Sequence, residues 1–264
     1  MCRLDIAVAL CGLLMTTAAA AQTPATGSRP AASQPVEPSP SSAPAISPDL
    51  NPLLDRAAKT VEQFFGDPIA QPYETRVFAN RAEMSAFAAA KWKVAELPCW
   101  AVAMGTGSTF ALLAPQSWAK EACGHDAADT VATERLITHE LVHVYHGQHR
   151  ADAEFNEADE VGWFVEGLAV LASGQLDDQR IRQAADAIRG DAGPKKLVDG
   201  WSGNARYGLA GTMVRLVDQR LGRAKLKTLL AASDNATILA ALGMTEQEFL
   251  AAWRQSLAQP AVAP

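Results

Sequence analysis

Glu166 is the only charged residue in VGWFVEGLAVLA (161–172), a stretch otherwise apolar or small. A carboxylate is costly to bury unless it is paired, hydrogen-bonded or bound to a metal. A chain containing this stretch must therefore either leave Glu166 on a narrow exposed line of a buried helix or bring a compensating group against it. That requirement constrains the packing of the stretch more than any other feature of the sequence.

A candidate partner lies upstream. THELVHVYHGQH (138–149) holds four of the five histidines. From about Thr130 the apolar pattern is helical, with Ile137, Leu141 and Val144 on one face assigned to the core and Gly147 ending the helix. His139 and His143 are four residues apart on another face, so both imidazoles can reach one metal ion at about 2.0–2.1 Å, the Zn–N distance. Glu140 points about 100° further round the axis, beside such an ion and not onto it. There it could take a proton from a metal-activated water, making a nucleophile for a carbonyl carbon.

The two histidines need a third ligand, and three residues compete. His146 is almost in line with His139 but about 10.5 Å along a regular helix, too far for one ion. His149 stands where the metzincin pattern places its last histidine, but that pattern wants glycine at the position held by His146, and the glycine here is one residue late, at Gly147. Glu166 needs a partner in any case. The residues favour Glu166, with His149 as the alternative.

The remaining sequence bounds the domain. IAVALCGLLM (6–15) followed by AAAAQ (18–22) reads as a signal peptide, residues 1–21, which predicts export. The apolar run is shorter than a membrane span of about 20 residues, so a membrane association is expected only if this segment stays uncleaved. Residues 22–54 hold eight of the 15 prolines among Ala and Ser and read as a disordered spacer. One domain is expected over 55–258, followed by a disordered tail, 259–264. A net charge of −6 with no basic cluster argues against a nucleic-acid partner. Once the leader is removed, Cys99 and Cys123 remain. Export permits a disulfide between them, against the rival of a Cys/His metal site using His125, which the disulfide reading leaves as a solvated loop histidine.

Within the domain, 72–80 reads as a strand and 81–92 as a helix. Residues 102–115 read as a hairpin turning at Gly105-Thr106-Gly107, because no lysine follows to make those glycines a phosphate loop. After 130 the chain is mainly helical, over 161–173, 176–190, 205–222, 224–232 and 245–257, where Thr245 and Glu248 have capping-box spacing. The expected fold class is α+β: a small, mostly antiparallel sheet packed on the two-histidine helix, then a helical half.

His139-Glu140-Leu141-Val142-His143, followed by Glu166 within Trp163-Phe164-Val165-Glu166-Gly167-Leu168-Ala169, resembles the gluzincin metallopeptidases, in particular the peptidase-MA-like family. Residues 98–115 are similar to the strand pair before the zinc helix in that family, 205–222 to its tyrosine-containing helix and 243–257 to its closing helix. The resemblance covers about 70–258. It implies a zincin-like fold and one Zn2+ held by His139, His143 and Glu166, with Glu140 as general base and peptide or protein substrates. It further implies that an edge strand at Thr109, Phe110, Ala111 and Leu112 pairs with an extended peptide, and that Tyr207 steadies an oxyanion. The other class of function compatible with these residues is a non-catalytic zinc-stabilised domain that binds protein or cell-wall peptide.

Overall fold

The computed structural model describes residues 50–94 and 96–258. The predicted leader, the spacer up to residue 49 and the tail at 259–264 lie outside the described residues.

The first helix, α1 (Asn51–Phe65), buries Ala57, Val61 and Phe65, a four-residue recurrence that makes one apolar face. Pro52 sits in its first turn, where a missing N–H costs nothing because that group has no helical acceptor. Leu50 is buried as well. Residues 51–54, which in composition continue the proline-rich spacer, thus form the first turn of α1.

Three strands follow, β1 (Glu74–Phe78), β2 (Ala103–Thr106) and β3 (Thr109–Leu113), with the helix α2 (Arg81–Trp92) between β1 and β2. The Asn80 side chain caps α2 by accepting from the Glu83 N–H. The spatial order is β1-β3-β2, with β1 parallel and β2 antiparallel to β3. Two expectations change here. The sheet is mixed, not mostly antiparallel, because the chain passes from β1 through α2 to the far strand β2 and the hairpin then turns β3 back to lie between them, parallel to β1. And β3 is the central strand: both edges of Thr109, Phe110, Ala111 and Leu112 are taken, so this segment has no free edge to offer a peptide. The hairpin itself stands, with the two-residue loop Gly107-Ser108 where Gly105 to Gly107 was expected.

The remaining helices are α3 (Trp118–Glu121), α4 (Thr130–Gly147), α5 (Gly162–Ala172), α6 (Asp178–Arg189), α7 (Arg206–Leu221), α8 (Arg223–Thr228), α9 (Asn235–Leu242) and α10 (Glu246–Ala258). The architecture is thus mixed α/β with helix predominating. Asp129 caps α4 through the Ala132 N–H, and the expected Thr245–Glu248 box caps α10. The fold is organised around α4, with α1 and β2 on it and α5 packed against it; α5 in turn lies on α7, which α6 and α10 back. Ile137, Leu141 and Val144 are fully buried, as their periodicity requires.

Cys99 and Cys123 are joined by a disulfide. His125 is consequently not a ligand, nor is it solvated. It is half-buried, its Nε2 3.0 Å from the Trp100 carbonyl and its ring against Trp118, and burial lowers its pKa. No helix among the described residues is long and apolar enough to cross a membrane.

Candidate metal centre

Helix α4 presents His139 and His143 on its α5 side, and α5 presents Glu166 back to them. The His139 and His143 Nε2 atoms are 3.1 Å apart, and Glu166 Oε2 is 3.3 Å from the first and 3.6 Å from the second. Donors bound at about 2.0 Å in a tetrahedral site stand about 3.3 Å from one another. The three atoms thus outline one face of a coordination tetrahedron. All three side chains are buried and together could hold a metal ion. Neither Glu166 oxygen finds a partner with hydrogen-bond geometry, which is the state of a carboxylate that needs a cation in addition to its neighbours. The lone acid of the apolar stretch is therefore fully buried, not on an exposed line, and it faces the two histidines.

The charges respond to this enclosure. Burial drives His139 towards the neutral imidazole, the form that can ligate. His143 meets the same burial, but the charges of Glu166 and Glu140 overcome it and raise its pKa. Burial alone would raise Glu166; the two imidazoles outweigh it and hold the carboxyl below its usual value.

Glu140 is buried on the neighbouring flank of α4, beneath β2. The Gly105 N–H of β2 is directed at its carboxylate. This approach needs glycine: a Cβ at 105 would stand 2.2 Å from the Glu140 carbonyl oxygen. Burial lifts the Glu140 carboxyl to about 8, against the opposing pull of His143 and of the Gly105 N–H.

The competing histidines are accounted for. His149 turns back along α4, with Nδ1 2.8 Å from the Tyr145 carbonyl and its ring on Tyr145, and it takes no part in the cluster. The late glycine has another purpose: a Cβ at Gly147 would lie 2.4 Å from the Gly107 nitrogen, so the helix end packs directly under the hairpin turn. His146 is fully buried, with Nε2 3.0 Å from the Leu230 carbonyl and its ring edge-on to Phe155 and Phe164. It fastens α4 to the C-terminal helices.

Tyr207 is half-buried in the first turn of α7, edge-on to Trp201, with the Arg180 and Arg206 guanidinium groups over its ring. Arg180 also donates to the Gln175 carbonyl, so a chain of contacts runs from Tyr207 through Arg180 to the residue beside His139. Asp159 and Glu160 are exposed and do not orient the imidazoles; Glu160 accepts from the Asn235 N–H.

Two contributors were not visible in the sequence. Gln175 places Oε1 3.1 Å from His139 Nδ1. A glutamine following a helix-ending glycine reads as a solvated polar residue, and nothing local signals otherwise. Phe155 lies with its ring 5.9 Å from that of His143 and holds a left-handed backbone, φ 59°, that a bulky residue rarely adopts. A cavity of about 360 Å3 has Gln175, Arg135, Arg180 and His125 in its wall, and none of His139, Glu140, His143 and Glu166 lines it.

The chain matches no protein-family model, no curated protein and no solved structure.

Proposed function

We propose that this protein is an exported zinc-dependent peptidase of the gluzincin type, with a zincin-like fold. The convergence of His139 Nε2, His143 Nε2 and Glu166 Oε2 from two helices onto one point carries this reading. Two imidazoles and one carboxylate are a donor set suited to zinc with an open position. Zinc, when bound, supplies a Lewis acid that lowers the pKa of a water towards ~7. Glu140 is not a fourth ligand; it takes a proton from the attacking water on a carboxylate oxygen and returns it to the departing amine nitrogen. The positive charge of a bound ion beside it would favour the ionised carboxylate that accepts this proton. The Tyr207 hydroxyl is assigned to the developing oxyanion. The disulfide supports export, since such bonds persist in oxidising compartments.

The burial of all four groups, His139, Glu140, His143 and Glu166, favours a second reading, a zinc-stabilised binding domain without turnover. One comparison separates the two. The zinc-loaded protein and Glu140→Gln are each incubated with a broad peptide library, and their zinc content is measured. The peptidase reading predicts full zinc occupancy in both and at least a ~100-fold loss of cleavage in the variant. Equal inertness of the two proteins would contradict it in favour of the binding domain.

A further inference from the structure

His139 is held at both ring nitrogens by one segment of chain. Glu166, on α5, faces Nε2; Gln175, just past the end of α5, faces Nδ1. The reversal that makes this possible occurs at Gly174, φ 70°, after which the Gln175 and Leu176 N–H groups both return to the Val170 carbonyl. Gln175 is thereby anchored by its backbone before its side chain makes any contact, and Arg180 holds its carbonyl from the other side.

The direction of the side-chain bonds follows by elimination. Gln175 Nε2 lies 3.4 Å from the Arg135 carbonyl oxygen. A carbonyl can only accept, so the amide nitrogen must face Arg135 and the amide oxygen must face His139. The amide oxygen also can only accept, so His139 Nδ1 must carry the proton. That leaves Nε2 unprotonated, its lone pair directed towards Glu166 and His143. The Arg135 carbonyl is, moreover, the one that closes the helical turn onto the His139 N–H, since helical bonds run from residue i to i−4. Gln175 thus spans the backbone turn and the imidazole that rises from it.

We propose that Gln175 is a positioning residue for His139, selecting the tautomer in which Nε2 is the donor and fixing the ring plane towards Glu166, and that it thereby sets the affinity of the centre for its metal. This rests on the zinc reading above. An amide does the work that a carboxylate or backbone carbonyl commonly does beside a ligating imidazole, and it adds no negative charge to a centre that already has one carboxylate ligand.

The test measures zinc affinity by chelator competition in the full chain, in Gln175→Leu and in Gln175→Glu, alongside imidazole 15N shifts of the zinc-free proteins. Leucine removes the acceptor and glutamate keeps it. The proposal predicts about a 10- to 100-fold loss of zinc affinity in Gln175→Leu and recovery in Gln175→Glu. It also predicts that the Nδ1–H tautomer of His139 dominates in the wild type and gives way to a mixture in the leucine variant. Unchanged affinity and an unchanged tautomer in a folded Gln175→Leu protein would overturn it. Wild-type protein that binds no zinc would overturn the metal reading instead, and the 15N shifts would then still decide the role of Gln175 on their own.

Discussion

His146 shows what a histidine in this helix does when it is not a ligand. It is fully buried against Phe155 and Phe164, and its Nε2–H donates to the Leu230 carbonyl. Burial first, and then the charge of Arg150, hold its pKa well below the ordinary value. The folded state therefore keeps this imidazole neutral while the unfolded chain takes up a proton below pH ~6.5. Its stabilising contribution is complete above that pH and is lost as pH falls further, by up to ~1.4 kcal/mol per pH unit. Denaturant titrations of the zinc-free wild type and His146→Gln at pH 7.5 and 5 should show the wild type losing about 1–2 kcal/mol more over this interval; equal losses would contradict the assignment. At this scale the sequence was informative wherever a residue violated its surroundings. Glu166 stood out because it was the one charge in an apolar stretch. Gln175 did not, since its significance is a contact with a residue 36 positions away.

Among the elements, those set by local signals were legible and those set by distant partners were not. The helix α4 had its periodicity and its terminal glycine, and the hairpin of β2 and β3 had a glycine-marked turn between two short runs. The parallel pairing of β1 with β3 had no local signature, and without it β3 was taken for an edge. Helix α1 was hidden behind the proline in its first turn, and α9 went unread despite the Asp234 cap that opens it. Gly105 was assigned to the turn because glycine ordinarily signals one, whereas its place in β2 is dictated by the backbone of α4. Gly105→Ala should force β2 away from α4. The expected effect is a destabilisation of about 1–3 kcal/mol in thermal or chemical denaturation, accompanied, on the peptidase reading proposed above, by loss of peptide cleavage as the Gly105 N–H moves off Glu140. A variant of wild-type stability would show that the contact between strand and helix is slack.

The whole molecule is a scaffold that holds two helices, α4 and α5, with their polar groups facing inward. Residues 51–54 belong to α1 although they were assigned to the spacer, because composition separates a proline-rich spacer from a helix only on average. The disulfide was legible from cysteine count and inferred export. It ties the segment before β2 to the one leading into α4 across a sequence separation of 24. Replacing Cys99 and Cys123 by serine should lower the unfolding free energy by roughly 3 kcal/mol without abolishing zinc binding, since neither sulfur is a ligand. Loss of the metal in that double variant, with the fold intact, would reopen the cysteine–histidine alternative. The central claim is that one zinc ion joins the two helices through His139, His143 and Glu166. It is tested most directly by the zinc stoichiometry and affinity of the wild type, Glu166→Ala and His149→Ala. The proposed zinc site predicts one zinc per chain, affinity that collapses in Glu166→Ala and affinity that survives in His149→Ala; the reverse pattern, or zinc held equally well by both variants, would contradict it.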